Sequence, residues 1–200
     1  TSRFTLELQA GVITVELEQE ADSTLIRMAQ REPVFGEIYT RDLIAPIFGL
    51  EPEDILPDVP VQTVSTGTPQ LMIPVHNLEA LRRVQLNIPL YQSLRERGDF
   101  FSPHVFCRGS VTPDGDTFAR HFGVPPDTSE DPFTGSATGG MGAYLWRYDL
   151  IPAPTFVADQ GHWMGRPGRA VVNVIGAPNA IEIVKVGGYA VRVMSGEMLL

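Results

Sequence analysis

Two carboxylates and two hydroxyls stand close together in the run Glu130-Asp131-Pro132-Phe133-Thr134-Gly135-Ser136-Ala137. A carboxylate can take up and return a proton, and a hydroxyl or a free backbone N–H can hold an anion. Ala137, Met141, Tyr144 and Tyr148 then recur at steps of four, three and four, so they share one helical face. The spacing predicts a helix near 135–148 that starts between Thr134 and Ser136, with Ser or Thr in capping position. Such a start offers unpaired N–H groups and a positive dipole end, which suits a carboxylate or phosphate ligand. The plainer reading, favoured by spacing alone, is that Asp131 and Ser136 merely cap the helix.

The helix itself is unusual. Gly139, Gly140 and Gly142 each disfavour helix by about 1 kcal/mol relative to Ala. Three of them in one helix predict close approach of other backbone on several sides, as for a helix threaded through a curved sheet. A nucleotide loop does not fit, because neither the lysine of a phosphate-binding loop nor a G-x-G-x-x-G is present. A serine hydrolase built on Ser136 does not fit either, since Gly135-Ser136-Ala137 is not a G-x-S-x-G elbow and no partnered histidine accompanies it.

Glu-Asp-Pro-Phe-Thr-Gly-Ser-Ala at 130–137 resembles the signature of the PhzF family, the phenazine-biosynthesis-like proteins with the diaminopimelate-epimerase fold. Gln160-Gly161 with Met164-Gly165-Arg166-Pro167-Gly168 resembles that family's second run, Gly187 to Val191 with Gly196-Glu197-Met198 resembles its closing strands, and Thr66 to Gln70 before Leu71–Val75 also fits. The resemblance covers essentially the whole chain. Family members begin with a segment that carries a catalytic glutamate and a Gly-His-Pro-like motif, and neither pattern occurs here. Residues 1–18 look like late strands of the family's first domain, so the chain reads as the later two-thirds of such a protein, whether as a fragment, a processed chain or half of a split one.

Composition bounds the alternatives. The chain has 200 residues, 43% of them hydrophobic, with mean hydropathy near zero. No apolar run approaches the ~20 residues that cross a membrane. The net charge is −9 with 15 scattered basic residues, which argues against nucleic acid as a partner. One cysteine, Cys107, permits no internal disulfide and fits a reducing cytoplasm. Cys107 reads as a buried small hydrophobe; the two-cysteine chemistry of diaminopimelate epimerases proper is absent. No Cys/His cluster has zinc spacing, so no metal is expected. His76, His104, His121 and His162, isolated from one another in sequence, read as structural.

The elements that must position the motif follow from periodicity. Residues 3–9 and 12–18 alternate and predict a hairpin with one wet face around Ala10-Gly11. A strand at 25–29 ends at Arg31-Glu32-Pro33, which suggests a crossover. Thr40–Phe48 reads as a short helix, residues 51–60 as a surface loop, and 61–64 and 71–75 as strands around a Gly67 turn. Asn77 caps a helix with Leu78, Leu81 and Val84 inward; Pro89 opens another with Leu90 and Leu94 inward. Strands are predicted at 105–111, 117–122, 155–157, 170–175, 181–186 and 189–194, with Gly187-Gly188 as the last turn. Asp114-Gly115-Asp116 is a turn without the further ligands of a calcium loop.

The fold class is therefore α+β. The resemblance implies the diaminopimelate-epimerase-like form, two mixed β-barrels each wrapped round a central helix, one complete here and one partial. It assigns residues 1–34 and 187–200 to the first domain and 35–186 to the second, with ligand between them and Arg120 and His121 brought near the site. It also implies cofactor-free acid–base isomerisation of a small carboxylate substrate, with Asp131 as the retained acid–base or substrate-orienting residue and Thr134, Gly135 and Ser136 binding substrate. By resemblance the chain forms a homodimer, or pairs with a companion chain that supplies the missing segment. A non-catalytic ligand-binding or structural remnant is the alternative, because the upstream glutamate is absent.

Overall fold

Alternating side chains make the first two strands. In the computed structural model, which describes residues 2–8, 11–20, 23–191 and 193–197, β1 (Ser2–Leu8) and β2 (Gly11–Gln19) pair antiparallel, with Phe4 opposite Val15 and Leu6 opposite Ile13. Ala10, in the expected hairpin turn, lies outside the described residues. Next along the chain are β3 (Thr24–Ala29), β4 (Val34–Tyr39), α1 (Arg41–Ile44), β5 (Val61–Ser65), β6 (Pro69–Pro74), α2 (Leu78–Arg83), α3 (Ile88–Arg95), β7 (Ser102–Arg108) and β8 (Thr117–Phe122). They are followed by β9 (Glu130–Asp131), α4 (Gly135–Arg147), β10 (Thr155–Gln160), β11 (Gly168–Ala177) and β12 (Ala180–Tyr189).

One continuous sheet runs β1-β2-β3-β12-β11-β10-β8-β7-β6-β5-β4, with β9 attached to β8. Two pairings are parallel, β6 with β7 and β8 with β10; the other neighbours are antiparallel. From β12 to β5 the sheet curls round α4. Its inward side chains, among them Val64, Met72, Phe106, Ala119, Val172 and Val184, pack on Met141, Ala143, Tyr144 and Leu145 of the helix. The outward side chains of the same strands, such as Leu71, Ile73, Val105 and Phe118, form a second core under α1, α2 and α3 with Leu81, Tyr91 and Leu94. The residues linking β3 to β4 close the seam: Gln30 N–H donates to Val184 O (2.8 Å) and Arg31 N–H to Thr66 O (3.1 Å).

The glycines of α4 answer to this enclosure. A Cβ on Gly139 would overlap the Gln30 amide, one on Gly140 would lie 2.7 Å from Met72 Cε, and one on Gly142 would lie 2.7 Å from Val172 Cγ1. The helix is therefore walled by the β3–β4 link, by β6 and by β11.

Several expectations need correction. Residues 34–39 are a strand, β4, paired with β5 through a bulge between Phe35 and Ile38; the irregularity around Gly36 hides the alternation. The helix expected at 40–48 is one short α turn followed by a 3-10 turn at Ala45–Ile47, because Pro46 donates no backbone hydrogen bond. In α3 the inward residues are Tyr91 and Leu94, whereas Leu90 is 44% exposed; the Tyr91 hydroxyl finds a partner in Gly123 O at 3.0 Å. β7 starts at Ser102 rather than Val105 and ends at Arg108. Gly187-Gly188 is not a turn: β12 runs through it, and Gly187 sits where a Cβ would lie 2.8 Å from Arg27 Cγ on β3. The last strand, expected at 189–194, does not form: residues 190, 191, 193 and 194 are not in a strand, and residue 192 lies outside the described ones. Among the described residues no helix is long and apolar enough to cross a membrane.

Candidate functional site

Asp131 and Glu130 are adjacent on β9, so they point to opposite faces of the sheet. Glu130 faces outward and receives a two-pronged hydrogen bond from Arg120, Nε to Oε1 at 3.1 Å and Nη2 to Oε2 at 2.8 Å. The same guanidinium donates to Leu81 O and Val84 O at the end of α2. Arg120 is thus a structural clamp on the outer layer, and the expectation that it approaches the site is corrected.

Asp131 lies on the other face, opposite His121. Its Oδ2 accepts a hydrogen bond from Thr134 Oγ1 at 2.5 Å. Gln160, from the end of β10 and 1% exposed, ties the turn together: its Nε2 donates to Asp131 O (2.7 Å) and Thr134 Oγ1 (3.3 Å), while its Oε1 accepts from Thr134 N–H (3.4 Å). Gly161 follows with φ +79° and sits against the Pro132 carbonyl, which leaves no room for a Cβ. The two runs at 130–137 and 160–168 are therefore parts of one turn assembly.

Thr134 does occupy the N-cap of α4, but its side chain makes no capping bond; its hydroxyl donates to Asp131 and accepts from Gln160 instead. The plain capping reading thus fails for Asp131, which bonds the Thr134 hydroxyl instead. The first-turn N–H groups of α4 keep their donor capacity and the positive end of the helix. Gln30 secures that turn from the side, its Nε2 donating to Gly135 O at 2.8 Å and its Oε1 accepting from Thr66 Oγ1.

Gly135 and Ser136 open onto a cavity of about 570 Å³ that is also lined by Ile13, Ile26, Met28, Arg31, Gly67 and Val186. Ser136 is exposed. Of the four residues expected to form the site, the structure brings Gly135 and Ser136 to the cavity wall. Asp131 and Thr134 lie in the turn that leads into it.

Behind the turn lies a polar chain that no sequence signal isolated. Ser102, His104 and His121 are buried on the inner face. Ser102 Oγ donates to Gln70 Oε1 (2.6 Å), so it must accept from His121 Nε2 (3.0 Å). That leaves His121 Nδ1 as an acceptor, and His104 Nδ1–H donates to it at 3.3 Å. His104 Nε2 is then a buried lone pair with no partner. Burial pushes His121 down to about 4, with Asp131 opposing the shift, and drives His104 well below its ordinary 6.5. Both rings are neutral at physiological pH. Cys107 is buried in the outer core, where burial pushes its thiol up to about 12. Among the described residues no three His, Cys, Asp or Glu side chains gather as a metal site.

The family of phenazine biosynthesis-like proteins, PhzC-PhzF, matches residues 1–196. The chain belongs to the PhzF family. Its relatives include the "uncharacterized isomerase" CA_C3446 of Clostridium acetobutylicum, 31% identical over all of this chain and 68% of that protein. The uncharacterized isomerases YfhB of Bacillus subtilis (28% identical, 90% of this chain and 62% of that protein) and YddE of Escherichia coli K12 (32%, 94% and 65%) are similar too. The chain spans about two-thirds, or slightly less, of the length of these relatives. A PhzF-family structure from Bacillus anthracis superposes with a TM-score of 0.82 at 29% identity, covering 99% of this chain and 69% of that one. A hydroxyproline epimerase from Agrobacterium vitis, at 13% identity and a TM-score of 0.60, shares the fold. The α+β, epimerase-like architecture expected from the sequence is thus the PhzF one. Gln30 and the His104–His121 pair were missed; Gln160 carried a signal only as part of the Gln160-Gly161 run.

Proposed function

We propose that this PhzF-family chain serves an isomerase or epimerase that moves a proton on a small carboxylate-bearing metabolite by acid–base chemistry, without a cofactor. The observation that carries this reading is the junction of Asp131 with the start of α4. A carboxylate that accepts from the Thr134 hydroxyl, on a turn whose backbone carbonyl is held by Gln160, stands one turn from the start of α4, which lines a cavity. In this reading Asp131 carries or orients the proton, and Gly135 and Ser136 bind the substrate carboxylate through backbone N–H groups and the Ser hydroxyl. No carboxylate, thiol or imidazole lines the cavity itself among the described residues, so Asp131, in the turn that leads into it, is the one proton-carrying group assigned to this chain. The names of the relatives as isomerases support the class of reaction. The two-domain division, with residues 1–34 and 187–200 on one side of the cleft and 35–186 on the other, and a homodimeric assembly, belong to the same proposal.

The test is incorporation of solvent deuterium into a panel of small organic acids, followed by NMR. Exchange at a carbon beside the carboxylate, lost in Asp131→Asn with the circular dichroism spectrum unchanged, is the expected result. Equal exchange in the variant excludes Asp131 from the chemistry, and binding without exchange points to the non-catalytic alternative.

A further inference from the structure

Resting on the reading of Asp131 as the proton-carrying group, we propose that Ser102 and His104 are positioning residues that act through His121. They hold both of its ring nitrogens toward β7, so that Asp131, its neighbour on β9, meets neither an N–H nor a positive charge from that ring.

Register is the first argument. His121 pairs with His104 on one side and with Asp131 on the other, so the three side chains stand on one face of the sheet. An imidazole beside a carboxylate readily donates to it, and that bond makes the carboxylate a weaker base. Among the described residues no hydrogen bond joins these two. His121 Nε2–H goes to Ser102 Oγ (3.0 Å) and Nδ1 accepts from His104 Nδ1–H (3.3 Å), and both partners lie on β7. The side-chain donor that Asp131 keeps is the Thr134 hydroxyl.

Direction is the second argument. Ser102 Oγ gives its one hydrogen to Gln70 Oε1 (2.6 Å), so toward His121 it accepts. The chain ends at His104 Nε2, buried without a partner. Run this way, the orphan is a lone pair; run the other way, it would be a bare N–H, which proteins bury less readily. A buried polar pair with an unmet group is costly for folding, which points to a role at the adjacent motif rather than in stability. The surroundings are the third argument. The titratable groups facing His121 are His104 on β7 and Asp131 on β9. Gln70 on β6 and Gln160 on β10 carry no charge, α4 has no ionisable side chain before Tyr144, and Asp127 in the loop between β8 and β9 is exposed. Once its nitrogens are released, the charge that can draw the ring is that of Asp131.

The test is NMR on the chain carrying isotope-labelled histidine and aspartate, with His121→Gln and Asp131→Asn to identify the two signals. In wild type, His121 should stay neutral with its hydrogen on Nε2 from about pH 5.5 to 8, since burial holds it at about 4. In His104→Leu, Nδ1 loses its donor. The ring should then carry a hydrogen there, and the midpoint of the Asp131 carboxyl titration should fall by about one pH unit. His104→Asn, whose amide N–H can donate from the place of Nδ1–H, should restore both signals. The acid limb of solvent-deuterium exchange should move with the Asp131 midpoint. A hydrogen on Nδ1 in wild type, or an unchanged ring in His104→Leu, overturns the proposal, and so does a changed ring beside an unmoved Asp131 titration. If wild type exchanges no acid, the isomerase reading fails, while the two titrations still decide the role of Ser102 and His104. Thermal unfolding checks each variant, and His104→Phe takes the place of His104→Leu if the latter does not fold.

Discussion

Thr134 joins the structural turn to the chemistry. It donates to Asp131 and accepts from Gln160, so a side chain of equal shape without the hydroxyl isolates its effect. Thr134→Val should cut deuterium exchange about tenfold, the size of one lost charge-assisted bond, and Thr134→Ser should restore it; equal rates in all three proteins would show that Asp131 needs no such support. The buried histidines give a second prediction. His121 falls from an ordinary 6.5 to about 4 because burial disfavours its charged form. The unfolded chain therefore binds more protons between these values, and stability is complete above about 6.5 and lost as the pH falls towards 4. The displacement corresponds to roughly 3 kcal/mol. Urea unfolding at pH 7 and pH 4.5 should show the loss, and His121→Gln should flatten it; an unchanged slope would mean the ring is solvated. At this scale the acidic motif was legible because its members are consecutive. The histidine pair was not, since only the antiparallel register of β7 and β8 sets His104 opposite His121.

Among the elements, α4 was the most readable, because three glycines in a helix demand a tertiary reason. Gly139→Ala should destabilise by about 3 kcal/mol, the upper range for overpacking, since the added methyl would enter the space of the Gln30 amide. Gly135→Ala meets nothing within 4 Å and should leave stability equal or raised, by no more than about 1 kcal/mol. A melting temperature that falls no further for Gly139→Ala than for Gly135→Ala would refute the walled-helix account. Illegible elements have equally specific causes. The bulge near Gly36 breaks the alternation of β4, and Gly187-Gly188 looks like a turn although its role is to admit Arg27 from the neighbouring strand.

At the level of the whole molecule, one feature of the sheet stands out. Phe4, Val15, Met28 and Val186 form a row across β1, β2, β3 and β12; Val15 is buried, but Phe4 is 44% and Met28 40% exposed. Large apolar side chains left open in this way favour association. Sedimentation of the chain should therefore depend on concentration, and Phe4→Thr with Met28→Thr should reduce the dependence; a monomer at every concentration would show that the face is stable in water. The class of fold and the wrapped helix were readable from period and composition. The continuity of the sheet was not, because it depends on which strands meet through long connections.

The enclosure of α4 also bears on how such a site can change over generations. Its helix half is closed to drift: at Gly139, Gly140 and Gly142 any side chain collides with a neighbour. The opposite wall is made of side chains on partly open strands and of Arg31, which is held through its backbone. Changes that the fold tolerates should therefore collect at residues 13, 26, 28, 31 and 186. A randomised library confined to those five positions should contain many folded members, whereas one confined to the three glycines should contain few.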